Sequence, residues 1–98
     1  MKFIAPPTKE EYAPYYDGYI QSAIKRGDMT ATLLLQLDEM KTALGALSDS
    51  QARFKPRPAE WSTKEVLSHL IDTERVFAYR LLRISRKDKT PLPGFEQD

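Results

Sequence analysis

Glu65, His69 and Asp72 are spaced i, i+4 and i+7, which puts three proton- and metal-binding side chains on one face of any helix that contains them. Imidazole combined with carboxylates is a ligand set for zinc, nickel or iron. His69 is the sole histidine, however, and the chain has no cysteine. A transition-metal site made from these residues alone would have one nitrogen ligand, with every donor on a single element, whereas such sites usually draw on more than one. The alternative is a solvated helix face on which His69 merely neighbours two acids. The residues by themselves favour that alternative.

Other chemistry is thinner. No serine or cysteine can be paired with His69 as a nucleophile by a spacing rule that holds across families, and there is no glycine-rich phosphate loop. Arg75, Arg80, Arg83, Arg86, Lys87 and Lys89 gather around one acid, Asp88. This is a candidate patch for a polyanion or nucleic acid. It is also the arrangement expected where cations complement the negative end of a helix macrodipole, and the second explanation is the stronger, so nucleic acid is not an expected partner. Tyr79 is a possible hydrogen-bond donor in a site but reads as a packing residue.

These residues must be positioned by helices. Ser62-Thr63-Lys64-Glu65 has the capping-box pattern, with Trp61 and Val66 placed as a hydrophobic staple. The spacing predicts a long helix from there to about Arg86, ahead of Pro91 and the Pro93-Gly94 turn. On it Val66, Leu67, Leu70, Ile71, Phe77, Ala78, Leu81, Leu82 and Ile84 form a broad apolar arc that also takes in Glu74, a carboxylate that would need a partner if the arc were buried. Upstream, Gly27-Asp28 is a break followed by an N-cap. From Met29 to Leu47 a stripe of Leu33, Leu37, Met40, Leu44 and Leu47 recurs at steps of four and three, the pattern of a bundle helix. Leu34 and Leu35 fall off that stripe, so this helix should touch more than one neighbour. Residues 48–60, with Pro56 and Pro58, read as a connection. Residues 1–7 read as an extended lead-in, and Thr8 with Glu11 has the spacing to start a short helix around Lys9. Tyr12, Tyr15, Tyr16 and Tyr19 could line one side of it as packing residues. Residues 87–98 read as a loop with Phe95 exposed.

Composition bounds the rest. A chain of 98 residues makes one domain at most, and one this small buries only about 60–65% of its unfolded surface. The 15 basic and 14 acidic residues nearly cancel, so no global field points to nucleic acid or membrane. No disulfide framework or cysteine-based zinc site is available. No apolar run suits a signal peptide or a membrane span. A soluble, cytoplasmic protein is the expectation.

The run "EWSTKEVLSHLIDTERVFAYRLLRISRKDKTPLPGFEQD", residues 60–98, resembles the DinB-like superfamily, which includes YfiT-type metal-dependent hydrolases. The matching features are Trp-Ser at a capped helix start, then "VLxHLxDxE", an arginine-rich helix end and the "TPLPGFEQD" loop. Upstream, "EYAPYYDGYI" and "GDMTATLLLQLDEMKTALGAL" are similar to the family's first segments. The resemblance implies a four-helix bundle with an open metal site, often zinc or nickel, and activities that include hydrolysis and thiol-dependent transfer. It implies that His69 is the metal ligand from the second long helix, while the family's two further histidines, from the last helix, have no counterpart here. The expected fold is therefore all-α, half of an up-down four-helix bundle with one short and two long helices. Residues 1–98 would form a single helical domain, truncated after the second long helix and completed by homodimerisation or by a missing C-terminal segment. The expected function is that of a DinB-like metal-dependent hydrolase or transferase domain with His69 as its one retained ligand and no recognisable substrate. The alternative is a non-catalytic helical interaction or oligomerisation module.

Overall fold

The computed structural model describes residues 4–98. Among them, all regular structure is helical: two short 3-10 turns, Lys9–Glu11 and Pro14–Tyr16, and four α-helices, α1 (Asp17–Lys25), α2 (Met29–Gly45), α3 (Asp49–Arg53) and α4 (Thr63–Ser85). The chain divides into two compact units, Met1–Ala46 and Leu47–Asp98.

In the first unit the lead-in is irregular from Ile4 to Thr8, and residues 1–3 of that expected segment lie outside the described residues. The Thr8 N–H donates to the Glu11 carboxylate at 2.6 Å. This cap starts only one 3-10 turn, because Pro14 follows too soon for its ring and missing N–H to sit inside a helix. Pro14 instead opens the second turn, which leads into α1. The four tyrosines consequently fall on several elements rather than one short helix. Tyr12 donates to the Asp17 carboxylate at 2.7 Å, while Tyr15, Tyr16 and Tyr19 are exposed. Asp28 caps α2 as its sequence position predicts, accepting from the Ala31 N–H at 2.8 Å. Gly27 just before it has φ +86, a left-handed geometry that glycine adopts without steric cost. A two-pronged ion pair from Arg26 to Glu39, 2.9 Å to each oxygen, ties the turn back to α2.

In the second unit the connection contains more structure than its prolines suggest. Ser48 and Gln51 form a capping box that opens α3, so the connection holds a short helix where the sequence suggested only an irregular segment. The helix α4 runs from 63 to 85, close to the expected span. At 1.5 Å per residue it is roughly 35 Å long. It ends in a Schellman motif: the Asp88 N–H reaches the Arg83 carbonyl at 3.0 Å and the Lys87 N–H reaches the Ile84 carbonyl at 2.9 Å. Lys87 takes φ 56 there, the position where glycine is the usual occupant.

No apolar side chain is buried among the described residues, and the only buried residue is Ser62, at 4% exposure. The apolar arc of α4 lies open, with Leu81 at 69% and Phe77 at 61% exposure, and Leu33 and Leu37 on the α2 stripe are open as well. Glu74 is exposed too. The desolvation cost that would make it need a partner therefore does not arise in this chain. No helix among the described residues is long and apolar enough to cross a membrane.

Candidate functional site: the hollow around His69

The start of α4 is fixed by two reciprocal bonds. The Ser62 N–H donates to Glu65 Oε2 at 2.7 Å and the Glu65 N–H donates to Ser62 Oγ at 3.2 Å. The second carboxylate oxygen of Glu65 meets Lys55 Nζ at 2.9 Å. The backbone N–H of Ser62, helped by the Lys55 ammonium, holds the Glu65 carboxyl well below its usual range, at about 2. Glu65 is thus an ionised capping group committed to two partners.

One turn above Glu65 lies His69, partly buried. Trp61, which enters the helix just before the cap, sets its ring 5.1 Å from the His69 ring, centroid to centroid, at a 59° tilt. His69 Nδ1 is buried and has no hydrogen-bond partner among the described residues. The Thr73 hydroxyl donates to the His69 and Leu70 carbonyls, each at 3.0 Å, so the backbone of this turn is tied down as well. Asp72, the third member of the sequence-derived constellation, is exposed and approaches Arg75 at 3.8 Å.

An open hollow of about 220 Å³ brings these residues together. Its walls include Trp61, Glu65, His69, Asp72, Gln97 and Asp98. The spacing of 65, 69 and 72 is thus realised as a shared surface. The part played by Trp61 was available as a step of four, 61 to 65 to 69, although the tryptophan lies outside the helix proper. Gln97 and Asp98 stood in the sequence only as the end of the family-like TPLPGFEQD loop, with no spacing to place them beside His69, since they arrive from the far end of α4.

They arrive because the segment after α4 turns back along it. Arg83 donates to Asp88 Oδ2 at 2.5 Å, to the Thr90 carbonyl at 3.1 Å and to the Tyr79 hydroxyl at 2.9 Å. Arg80 donates to the Pro93 carbonyl at 3.0 Å and lies 5.5 Å from the centre of the Phe77 ring, within cation–π range. The Arg83 guanidinium beside Asp88 and the Thr90 N–H hold the Asp88 carboxyl at about 2, and Asp88 in turn raises Arg83 above its ordinary value. With Arg75 against Asp72, three members of the basic concentration are therefore engaged by their own chain.

The residues present do not make a metal site on their own. Among the described residues no group of three or more histidine, aspartate or glutamate side chains is arranged to hold a metal ion. His69 offers an imidazole, but Glu65 is engaged by Lys55 and by its cap.

The described residues are all-helical, with the one histidine on a long helix capped at its start. The signature of the DinB superfamily matches residues 32–98, about two thirds of the sequence. The chain belongs to the DinB superfamily. No curated protein and no solved structure matches it.

Proposed function

We propose that this chain is part of a DinB-superfamily metal-dependent hydrolase or thiol-dependent transferase, and that it supplies His69 as one ligand to a divalent-metal site for zinc or nickel. The other ligands come from outside the described residues, on a second copy of the chain or on a further polypeptide segment that completes an up-down four-helix bundle. The observation that carries this reading is the His69 ring itself. Its Nδ1 is buried without a partner, against Trp61 and beside a hollow whose polar groups include two α4 carboxylates. A buried ring nitrogen without a partner costs on the order of 1–3 kcal/mol, a cost that a ligand bond at this ring would offset. Family membership supports metal dependence in general and leaves the substrate open.

The apolar faces support the need for a partner. A monomer of this chain leaves Leu81, Leu82, Ile84 and Phe77 on α4 exposed, and burying each of them is worth about 1.5–3 kcal/mol. The same observation favours a second reading, in which the chain is a non-catalytic helical interaction module.

Zinc and nickel affinities of the wild-type protein and His69→Ala, measured together with molar mass by light scattering, separate the two. The ligand reading expects affinity to fall on the order of tenfold or more in His69→Ala, since even residues behind the ligands cost about 10–100-fold. Equal affinities in an associated protein would leave the interaction module.

A further inference from the structure

We propose that Arg80 and Arg83 are positioning residues for the His69 hollow: they hold residues 88–98 as a strap along α4, and Gln97 and Asp98 on that strap form one wall of the hollow. The proposal rests on the metal-site reading only for the purpose of the wall; the strap itself stands on its own contacts.

The contacts run in order along both partners. Going down α4 from its C-terminal end, Arg83 takes the Thr90 carbonyl and Arg80 takes the Pro93 carbonyl. Next, Arg75 and Val76 share an apolar cleft with Leu92 and Phe95, and Asp72 and His69 face Gln97 and Asp98. The lengths agree. From Arg83 to His69 the helix rises roughly 21 Å, and an extended chain from Thr90 to Asp98 spans roughly 25 Å.

The hydrogen-bond chemistry explains why arginine serves here. Pro91 and Pro93 have no N–H, so this stretch of strap offers its carbonyls and little else to a neighbour. A guanidinium presents several donors in a fixed fork and no acceptor, which suits a row of carbonyls. Arg83 is the better held of the two, with its side chain 16% exposed and bonded at once to a carboxylate, a hydroxyl and a carbonyl. It fastens the strap where the Schellman turn releases it, and Arg80 fastens it again three residues further on. Without these two bonds the stretch beyond the Schellman turn keeps its apolar contacts around Leu92 and Phe95 but loses its hydrogen bonds to α4, and the wall at His69 is lost.

The composition provides the assay, because the chain has one tryptophan, one histidine and no cysteine. A bimane label on Gln97→Cys reports proximity to Trp61, which quenches it at short range, and Trp61→Phe supplies the unquenched reference. The expected result is Trp61-dependent quenching with both arginines in place. It should be largely lost in Arg80→Ala/Arg83→Ala and partly lost in Arg83→Lys, with helical circular dichroism unchanged. Acylation of His69 by diethyl pyrocarbonate should become several-fold faster in the double variant. Quenching that persists in the double variant, quenching absent from the arginine-intact protein, or an unchanged acylation rate would overturn the proposal. If the double variant loses helicity, Arg80→Ala alone and Arg83→Lys decide on the same criteria. Nickel titration separates the two ideas: equal affinity in wild type and His69→Ala removes the metal reading and leaves the strap to the bimane result.

Discussion

The Trp61 ring lies 5.1 Å from the ring of His69, centroid to centroid, and these are the only tryptophan and the only histidine in the chain. Trp61 is held in place from the other side, because Ser62 and Glu65 cap the helix immediately after it. The cap, the indole and the imidazole are neighbours along the chain, and among the described residues His69 Nδ1 is the buried side-chain polar atom without a partner.

Trp61 should therefore report on His69. Replacing His69 by alanine removes the ring packed against the indole, and Trp61 emission should shift to the red as water takes its place. The reverse change, Trp61→Ala, should cost stability, since an aromatic pair adds about 0.5–1.5 kcal/mol beyond area burial. An emission maximum unmoved by His69→Ala would show that the two rings are not in contact.

The cap itself has a measurable worth. Ser62→Ala deletes the oxygen that accepts the Glu65 N–H and should lower stability by about 1 kcal/mol, with Ser62→Gly costing only a few tenths. Thermal unfolding followed by circular dichroism at 222 nm is the check.

Acid should weaken the same junction. The folded-state value of Glu65, about 2, lies below its ordinary 4.5, so the folded protein binds that proton less readily than the unfolded chain does. The stabilisation from the Ser62 and Lys55 contacts is fully present above 4.5 and is lost as pH falls towards 2. Asp88, likewise held at about 2 by Arg83, follows the same sign over a similar window. Denaturant unfolding at a series of pH values should show a slope through that window that flattens in Glu65→Gln.

Lys87 presents the opposite opportunity. A lysine at φ 56 occupies a conformation that costs L-residues about 1–2 kcal/mol and glycine little. Lys87→Gly should raise stability by about 0.5–1 kcal/mol, a β-branched Lys87→Val should lower it, and the Schellman bonds of Asp88 and Lys87 should survive in the glycine variant.

The parts of this structure written in local spacing were legible in the sequence. The Ser62–Glu65 box and the Asp28 cap each depend on residues three or four apart, and the helices they start, α2 and α4, fall where the apolar periodicity puts them. The Ser48–Gln51 box has the same spacing, but the prolines at 56 and 58 masked it and α3 was missed. The tyrosines show a local rule overridden: Pro14 breaks the chain between Tyr12 and Tyr15, so a spacing suited to one helix is spread over several elements. Of the candidate site, the clustering of Glu65, His69 and Asp72 followed from the i, i+4, i+7 rule. The engagement of Glu65 by Lys55 and the return of Gln97 and Asp98 did not, because both depend on irregular chain paths that leave no periodic trace. The arginines likewise looked like a helix-end charge effect, and carbonyl capture by Arg80 and Arg83 depends on where an unpatterned strap runs.

Nickel titration of Trp61 fluorescence tests the proposed role of His69 as a metal ligand. Bound nickel at His69 would sit within quenching range of the only indole. In the associated protein, or in a polypeptide that carries the completed bundle, emission should fall saturably with added nickel, and His69→Ala should require on the order of tenfold more metal for the same loss. Superimposable titration curves for the two proteins, or no nickel-dependent quenching in either, would contradict the assignment.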